Sequence, residues 1–243
     1  MWSRRLALGT GVVILPLALL VVRDGSVRSE PPERSGPAAV RPAAPRPPIV
    51  GREVWDADED LVRERPRPAG VVSAVFLHHT GHPNSYDCAD VPEMLRSLQT
   101  DHVKGEGWDD IGYNFVVDRC GTVYEGRAGS GARPVRGAHT KGFNAHTVGI
   151  AALGTFDTGT VVPRALLGGI AKVAAWQLRP GADPRGTVRL VSTNDEARFD
   201  KGDKAVLHVI SGHRDSYETR CPGEALYERL PEIREAVARL RHR

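Results

Sequence analysis

Residues 71–79, Val-Val-Ser-Ala-Val-Phe-Leu-His-His, constrain the fold more tightly than any other segment of the chain. The run is apolar, rich in β-formers and too short for an ordinary helix, so it reads as a strand. Side chains of a strand alternate between its two faces. Val72, Ala74, Phe76 and His78 therefore share one face, and Val71, Val75, Leu77 and His79 share the other. Both faces are apolar up to the two histidines. Such a strand is buried on both sides, and its sheet needs a layer packed on each face.

The rest of the chain supplies those layers. Residues 89–102 put Val91, Met94, Leu95, Leu98 and His102 at helical spacing, with Asp90 placed to cap the start ahead of Pro92. Residues 163–178 read as a second helix with Leu166, Leu167, Ile170, Val173 and Ala174 inward. Leu226, Leu230, Ile233, Val237 and Leu240 mark a C-terminal helical stripe that is interrupted near Pro231. Strands are expected at 113–117 and 122–124, joined by the turn Asp118-Arg119-Cys120-Gly121, and again at 147–153 and 207–211. Residues 181–203 are polar apart from a short β-like run at 188–192 and read as a loop or hairpin excursion. Alternating strands and helices predict an α/β fold with a single mixed central β-sheet flanked by helices.

Three regions are expected along the chain. In residues 1–22, Arg4 and Arg5 precede an uncharged run from Leu6 to Val22. That is the pattern of a signal peptide or, without a clear A-x-A cleavage site, of a signal anchor. Residues 23–48 are rich in Pro, Arg, Ala and Ser and read as a disordered linker. Residues 49–243 form the globular domain. The chain is therefore expected outside the cytoplasm, secreted or held at the cell surface by an N-terminal membrane anchor. Net charge is +3, but the first 48 residues hold seven Arg against three acidic residues, so the globular part is close to neutral. It lacks the basic footprint of a nucleic-acid partner.

Export gives the three cysteines meaning. Oxidising surroundings favour a disulfide, and an odd count leaves one thiol over. Cys88, just before the first helix, and Cys120, in the hairpin turn, are candidates for the pair. Such a bridge closes a loop of about 30 residues and adds roughly 3–4 kcal/mol if unstrained. Cys221 is then the remaining thiol, and a metal would protect it.

Metal-type donors occur at His78-His79, at Gly212-His213-Arg214-Asp215 and at Cys221-Pro222-Gly223. Each alone is a weak signal. Together, two imidazoles and one thiolate give three protein ligands and an open fourth position, the pattern of catalytic rather than structural zinc. Zinc at an open site acidifies water and polarises a carbonyl, which suits hydrolysis of an unactivated amide. The spacing does not say which of His78 and His79 binds. H-E-x-x-H is absent, as is the P-C-x-x-C signature of the zinc deaminases.

Several further stretches carry a resemblance. These are Ile49-Val50-Gly51-Arg52-Glu53-Val54-Trp55, Val75-Phe76-Leu77-His78-His79-Thr80, Gly107-Trp108-Asp109-Asp110-Ile111-Gly112-Tyr113-Asn114-Phe115, Val123-Tyr124-Glu125-Gly126-Arg127, Gly137-Ala138-His139, Gly149-Ile150, and Gly212-His213-Arg214-Asp215 with Thr219-Arg220-Cys221-Pro222-Gly223. In this order they resemble the peptidoglycan recognition proteins and the type 2 N-acetylmuramoyl-L-alanine amidases, from about residue 49 to 230.

The resemblance implies an amidase-like fold and a zinc amidase that cleaves the lactyl–L-alanine bond of peptidoglycan. It implies His78, His213 and Cys221 as zinc ligands, Tyr113 in the active site, and Thr219 beside the ligand cysteine. Tyr113 and Thr219 are the expected hydrogen-bond donors to the oxyanion. His139 and Asn144 are expected in the cleft against the substrate. Arg127 is placed either on a peptide carboxylate or on an acidic neighbour. The partner expected is a muramyl peptide, and the expected state is a monomer. Many sensing relatives have lost the ligand cysteine and turnover with it, so a non-catalytic wall-binding module is the rival reading. Cys221 favours the enzyme. His102 is expected to be a core histidine, and His79 either a support for its neighbour or core filling.

Overall fold

The computed structural model describes residues 43–242. The N-terminal apolar run and most of the linker lie outside the described residues. A five-stranded sheet forms the centre, in the order β3-β2-β4-β1-β7. Its strands are β1 (Ala74–His79), β2 (Phe115–Val117), β3 (Val123–Glu125), β4 (Thr147–Ala152) and β7 (Ile210–Gly212). β1 runs parallel to both β4 and β7, β2 runs parallel to β4, and only β3 is antiparallel, so the sheet is mixed. The helices are α1 (Val91–Thr100), α2 (Arg164–Gln177), the single turn α3 (Glu224–Tyr227) and α4 (Leu230–Arg241).

Alternation along β1 decides what lies above and below it. Val75 and Leu77 enter the main core, with Val148 and Ile150 of β4, beneath α2 and α4. Ala74 and Phe76 face the other way, against Phe143 and a two-stranded sheet of β5 (Thr187–Val191) and β6 (Lys204–His208). α1 covers the far end of that second face through Leu95 and Leu98, with Val116, Tyr124 and Ala151. The strand is thus enclosed on both sides, as its composition requires. Alternation holds only from Ala74 onward, and Val72 packs into the main core with Val75 and Leu77.

Other elements differ from the sequence pattern for local reasons. The apolar run 207–211 is two strands, because the chain turns at Val209, where the Ser211 hydroxyl donates to the His208 carbonyl at 2.9 Å. The excursion 181–203 supplies β5 and the loop that returns to β6. Asp90 occupies the N-cap of α1 without a side-chain bond, whereas Asp87 caps the short turn before it, accepting from the Ala89 amide at 2.9 Å. Pro231 starts α4 instead of breaking a longer helix, since a first-turn proline lacks only an N–H that has no helical partner there. At the N-terminal edge, Ala44 is buried, and Arg46 donates to the Gly131 carbonyl at 3.1 Å and lies over Trp176. The last residues of the linker stretch therefore pack on the domain.

Cys88 and Cys120 form a disulfide with their Cα atoms 6.5 Å apart, joining the lead into α1 to the β2–β3 turn. No helix among the described residues is long and apolar enough to cross a membrane.

Candidate metal centre and its cleft

The parallel strands β1 and β7 lie side by side and end together. His78 is the penultimate residue of β1, and His213 is the first residue after β7. Loops that follow the carboxyl ends of parallel strands gather into sites. Cys221 reaches the same point from the next loop. Donor atoms of His78, His213 and Cys221 all lie within 4.8 Å of one another, and Cys221 Sγ is 3.8 Å from His78 Nδ1. Tetrahedral zinc with bonds of about 2.0–2.3 Å places its ligand atoms roughly 3.3–3.8 Å apart, so the donor set fits that ion. The tie between the two adjacent histidines is resolved by the pleat. His78 lies on the Phe76 face with the other donors, while the ring of His79 turns toward Phe156, whose amide donates to His79 Nδ1 at 3.5 Å. His79 still serves the site through its own amide, which donates to Cys221 Sγ at 3.3 Å.

Hydrogen bonds fix the tautomer of His78. Its Nε2 lies 3.2 Å from His139 Nδ1, and His139 Nε2 lies 3.3 Å from Thr147 Oγ1. The Thr147 hydroxyl proton is already committed to the Phe143 carbonyl. Thr147 Oγ1 therefore accepts from His139 Nε2–H, His139 Nδ1 accepts from His78 Nε2–H, and His78 Nδ1 is left as a bare lone pair facing Cys221 and His213. His78, His139 and Thr147 are at most 3% exposed, so water does not compete. Gly149 of β4 makes room for this relay, since a Cβ there would overlap the His139 ring.

His139 was expected to touch substrate from the cleft, and the structure instead buries it behind the metal ligand. Burial is also what keeps it neutral: desolvation, with the His213 and Arg127 charges adding to it, lowers its pKa to about 3. Desolvation lowers His213 to about 4, helped by His79, and holds His78 well below the ordinary imidazole range. Burial pushes the Cys221 thiol up to about 12, against the smaller opposing effects of the His79 amide and the Arg214 charge. Neutral imidazoles are ready to ligate, whereas the thiol needs a metal to ionise.

Around the donors, Tyr113 sits with its ring 5.1 Å from that of His78, and its hydroxyl is 3.5 Å from the His79 carbonyl. Burial, with the Cys221 charge next, raises its pKa, so the phenol keeps its proton. His102 supports it from behind, as a core histidine should. Its ring meets Tyr113 edge-on at 5.3 Å, and its Nδ1 accepts from the Gly112 amide at 3.1 Å. A π-helical turn, Asp101–Gly105, sets His102 there at the end of α1. Thr219 accepts from the Cys221 amide at 3.1 Å and lines a cavity of about 380 Å³ with Asp157, Arg198, Arg214 and Arg220.

The remaining expected cleft residues are split. Asn144 Oδ1 accepts from the amides of His139 and Thr140 at 2.8 and 3.0 Å, so its carbonyl is spent holding the loop. Arg127 is 5% exposed, donates to the Ile111 carbonyl at 3.0 Å and pairs with Asp109 at 3.7 Å. The acidic-neighbour reading of Arg127 is the one observed. Both still border a second cavity, of about 280 Å³, shared with Arg65, Arg67 and Arg136. Cys88, Asp118 and Cys120 also bring donor atoms together, but the disulfide occupies both sulfurs. Thr147 and Tyr217 were not singled out in the sequence. The only written hint of the first is Gly149, two residues on along the same face of β4.

Comparison with known proteins gives the chain its family. Residues 67–224 match the N-acetylmuramoyl-L-alanine amidase family. The chain is 30% identical over 182 residues to peptidoglycan-recognition protein SC2 of Drosophila simulans, covering 75% of this chain and 84% of that one. It is 33% identical over 172 residues to an N-acetylmuramoyl-L-alanine amidase of Sus scrofa, covering 69% of this chain and 24% of that longer protein. Among solved structures it resembles peptidoglycan recognition protein LE in complex with tracheal cytotoxin, with a TM-score of 0.58 and 26% identity over 76% of this chain and 92% of that one. The chain belongs to the N-acetylmuramoyl-L-alanine amidase family.

Proposed function

We propose that this protein is a zinc-dependent amidase that hydrolyses the bond between the lactyl group of N-acetylmuramic acid and the L-alanine of the stem peptide, outside the cytoplasm. The observation that carries this reading is the convergence of His78 Nδ1, His213 and Cys221 on one point, with the His78 lone pair aimed there by the His139–Thr147 relay. Three protein ligands leave a position for reactants, as in catalytic zinc sites. The disulfide supports an oxidising location.

Bound zinc would supply the Lewis acid and an acidified water. The chain's own residues do the rest. Tyr113, kept protonated by burial, is placed to donate a hydrogen bond to the carbonyl oxygen as charge develops on it. The Thr219 hydroxyl accepts from the Cys221 amide, so its own proton is free to point toward the adjoining cavity. Amide hydrolysis adds one water across the C–N bond, giving a lactyl carboxylate and a free amine on L-alanine. The cavity bordered by Arg65, Arg67 and Arg136, with Glu64 and Asp109 on the same lining, suits a stem peptide that carries both carboxylate and ammonium groups.

The test is incubation of the purified protein with muropeptides, with zinc, after chelation, and after zinc is restored. Mass analysis should show peptide and glycan released only with the metal present. Tyr113→Phe should lower turnover by on the order of 100-fold while zinc content is unchanged. Intact substrate with zinc bound would leave the rival, a peptidoglycan-binding module without turnover.

A further inference from the structure

The two imidazoles are held in different ways. His78 has a hydrogen-bond partner for its second nitrogen. No side chain or backbone group among the described residues hydrogen-bonds a ring nitrogen of His213. Its ring is instead set between aromatic planes: Tyr217 stacks on it with centroids 5.4 Å apart and planes 15° from parallel, and His78 leans against it at 4.5 Å and 56°. Tyr217 belongs to the same loop, four residues on, and its amide donates to the His213 carbonyl at 3.1 Å.

Tyr217 is itself held from outside the loop. The Lys141 ammonium lies 5.7 Å from its ring centroid and is ion-paired with Glu196. Glu196 stands on the segment that links β5 to β6. The same segment grips both neighbours of Tyr217: the Arg198 amide donates to the Ser216 carbonyl at 2.9 Å, and its guanidinium pairs with Glu218 at 3.1 Å. Thr193 fixes the Lys141 side, donating from amide and hydroxyl to the Gly142 carbonyl at 3.0 and 3.1 Å. The hydroxyls of Thr140 and Ser216 meet at 2.8 Å between the two.

We propose that Tyr217 is a positioning residue for the metal ligand His213, and that the β5–β6 excursion is the brace that holds Tyr217 against it. The excursion then works for the site without touching it. A ligand ring free to rotate loses ordering entropy on binding, and stacking removes that cost beforehand. This inference rests on the metal-binding reading above.

The test measures metal affinity of the intact protein by competition with a chromophoric chelator, and the visible spectrum of the cobalt-substituted form. Tyr217→Ala should weaken zinc binding about tenfold, the scale of lost support around a ligand, and alter the cobalt spectrum. Tyr217→Phe should restore both, because no hydrogen bond of the hydroxyl supports the stack. Tyr217→Leu, which keeps apolar bulk without a stacking face, should behave as the alanine variant and serves if that variant misfolds. Glu196→Gln should give a smaller loss in the same direction. Wild-type affinity and spectrum in both Tyr217→Ala and Tyr217→Leu would overturn the inference alone. A wild-type protein that binds no zinc would overturn the functional reading with it.

Discussion

The two sides of the candidate metal centre are built on opposite plans. On the sheet side, His78, His139 and Thr147 form a closed hydrogen-bonded line across β1 and β4, and all are at most 3% exposed. On the loop side, His213 and Tyr217 are half-buried and stacked, Cys221 is 9% exposed, and the outer supports are ion pairs at the surface. The sheet side is held from two strands of the sheet, β1 and β4, and from the loop that precedes β4. The loop side is carried by the segments that follow β7, and burial raises the pKa of its thiol to about 12.

Breaking the loop side at its donor should have the largest effect. Cys221→Ser removes a ligand outright, so zinc loss should exceed the roughly 10–100-fold typical of supporting residues, and amidase turnover should fall to background. The fold should survive, since Cys221 contributes little apolar area. Normal zinc content in this variant would show that Cys221 is not a ligand.

Breaking the sheet side should cost both affinity and stability. His139→Leu leaves the His78 Nε2–H buried without a partner, a penalty of about 1–3 kcal/mol in unfolding free energy. It also frees the His78 tautomer, for an expected 10–100-fold loss in zinc affinity. Tyr217 variants should lose affinity without that stability penalty, and denaturant titration of the metal-free proteins separates the two cases. Equal destabilisation by both would erase the distinction between the two sides.

The mildest perturbation is pH, applied to the metal-free protein. His139 and His213 have folded pKa values lowered to about 3 and about 4, and His78 is lowered as well. Above about pH 6.5 they are neutral in both states and contribute no pH dependence. Below it the unfolded chain takes up protons that the folded chain refuses, so stability falls as pH drops toward 3. The slope is about 1 kcal/mol per pH unit for each imidazole. His139→Leu should lessen this slope by one imidazole, and a denaturant midpoint independent of pH between 6.5 and 4 would contradict the burial of these rings.

Much of this was readable from residue chemistry. His78-His79, His213 and Cys221 are donor types at or after strand ends, although only the resemblance chose His78 over His79, and the apolar run before His78 dictates a covered sheet. The relay was not readable, because it crosses from β1 to β4, and a threonine inside an apolar strand looks like any β-former. His139 was expected in the cleft from the resemblance of Gly137-Ala138-His139, and its place behind His78 shows only once Gly149 is seen beneath it. The brace was hidden differently. The partner of 188–192 merges in sequence with the next strand, so one apolar run conceals two elements. Tyr217 could not be read as a support, since stacking depends on a loop conformation that its neighbours set from outside.

The bridge between Cys88 and Cys120 encloses α1, the π-helical turn with His102, and Tyr113, a span with a sequence separation of 32. A protease that cuts once anywhere inside that span releases no fragment. The nicked wall of the cleft remains covalently attached at both ends. The bond is thus insurance against clipping as well as a fold constraint.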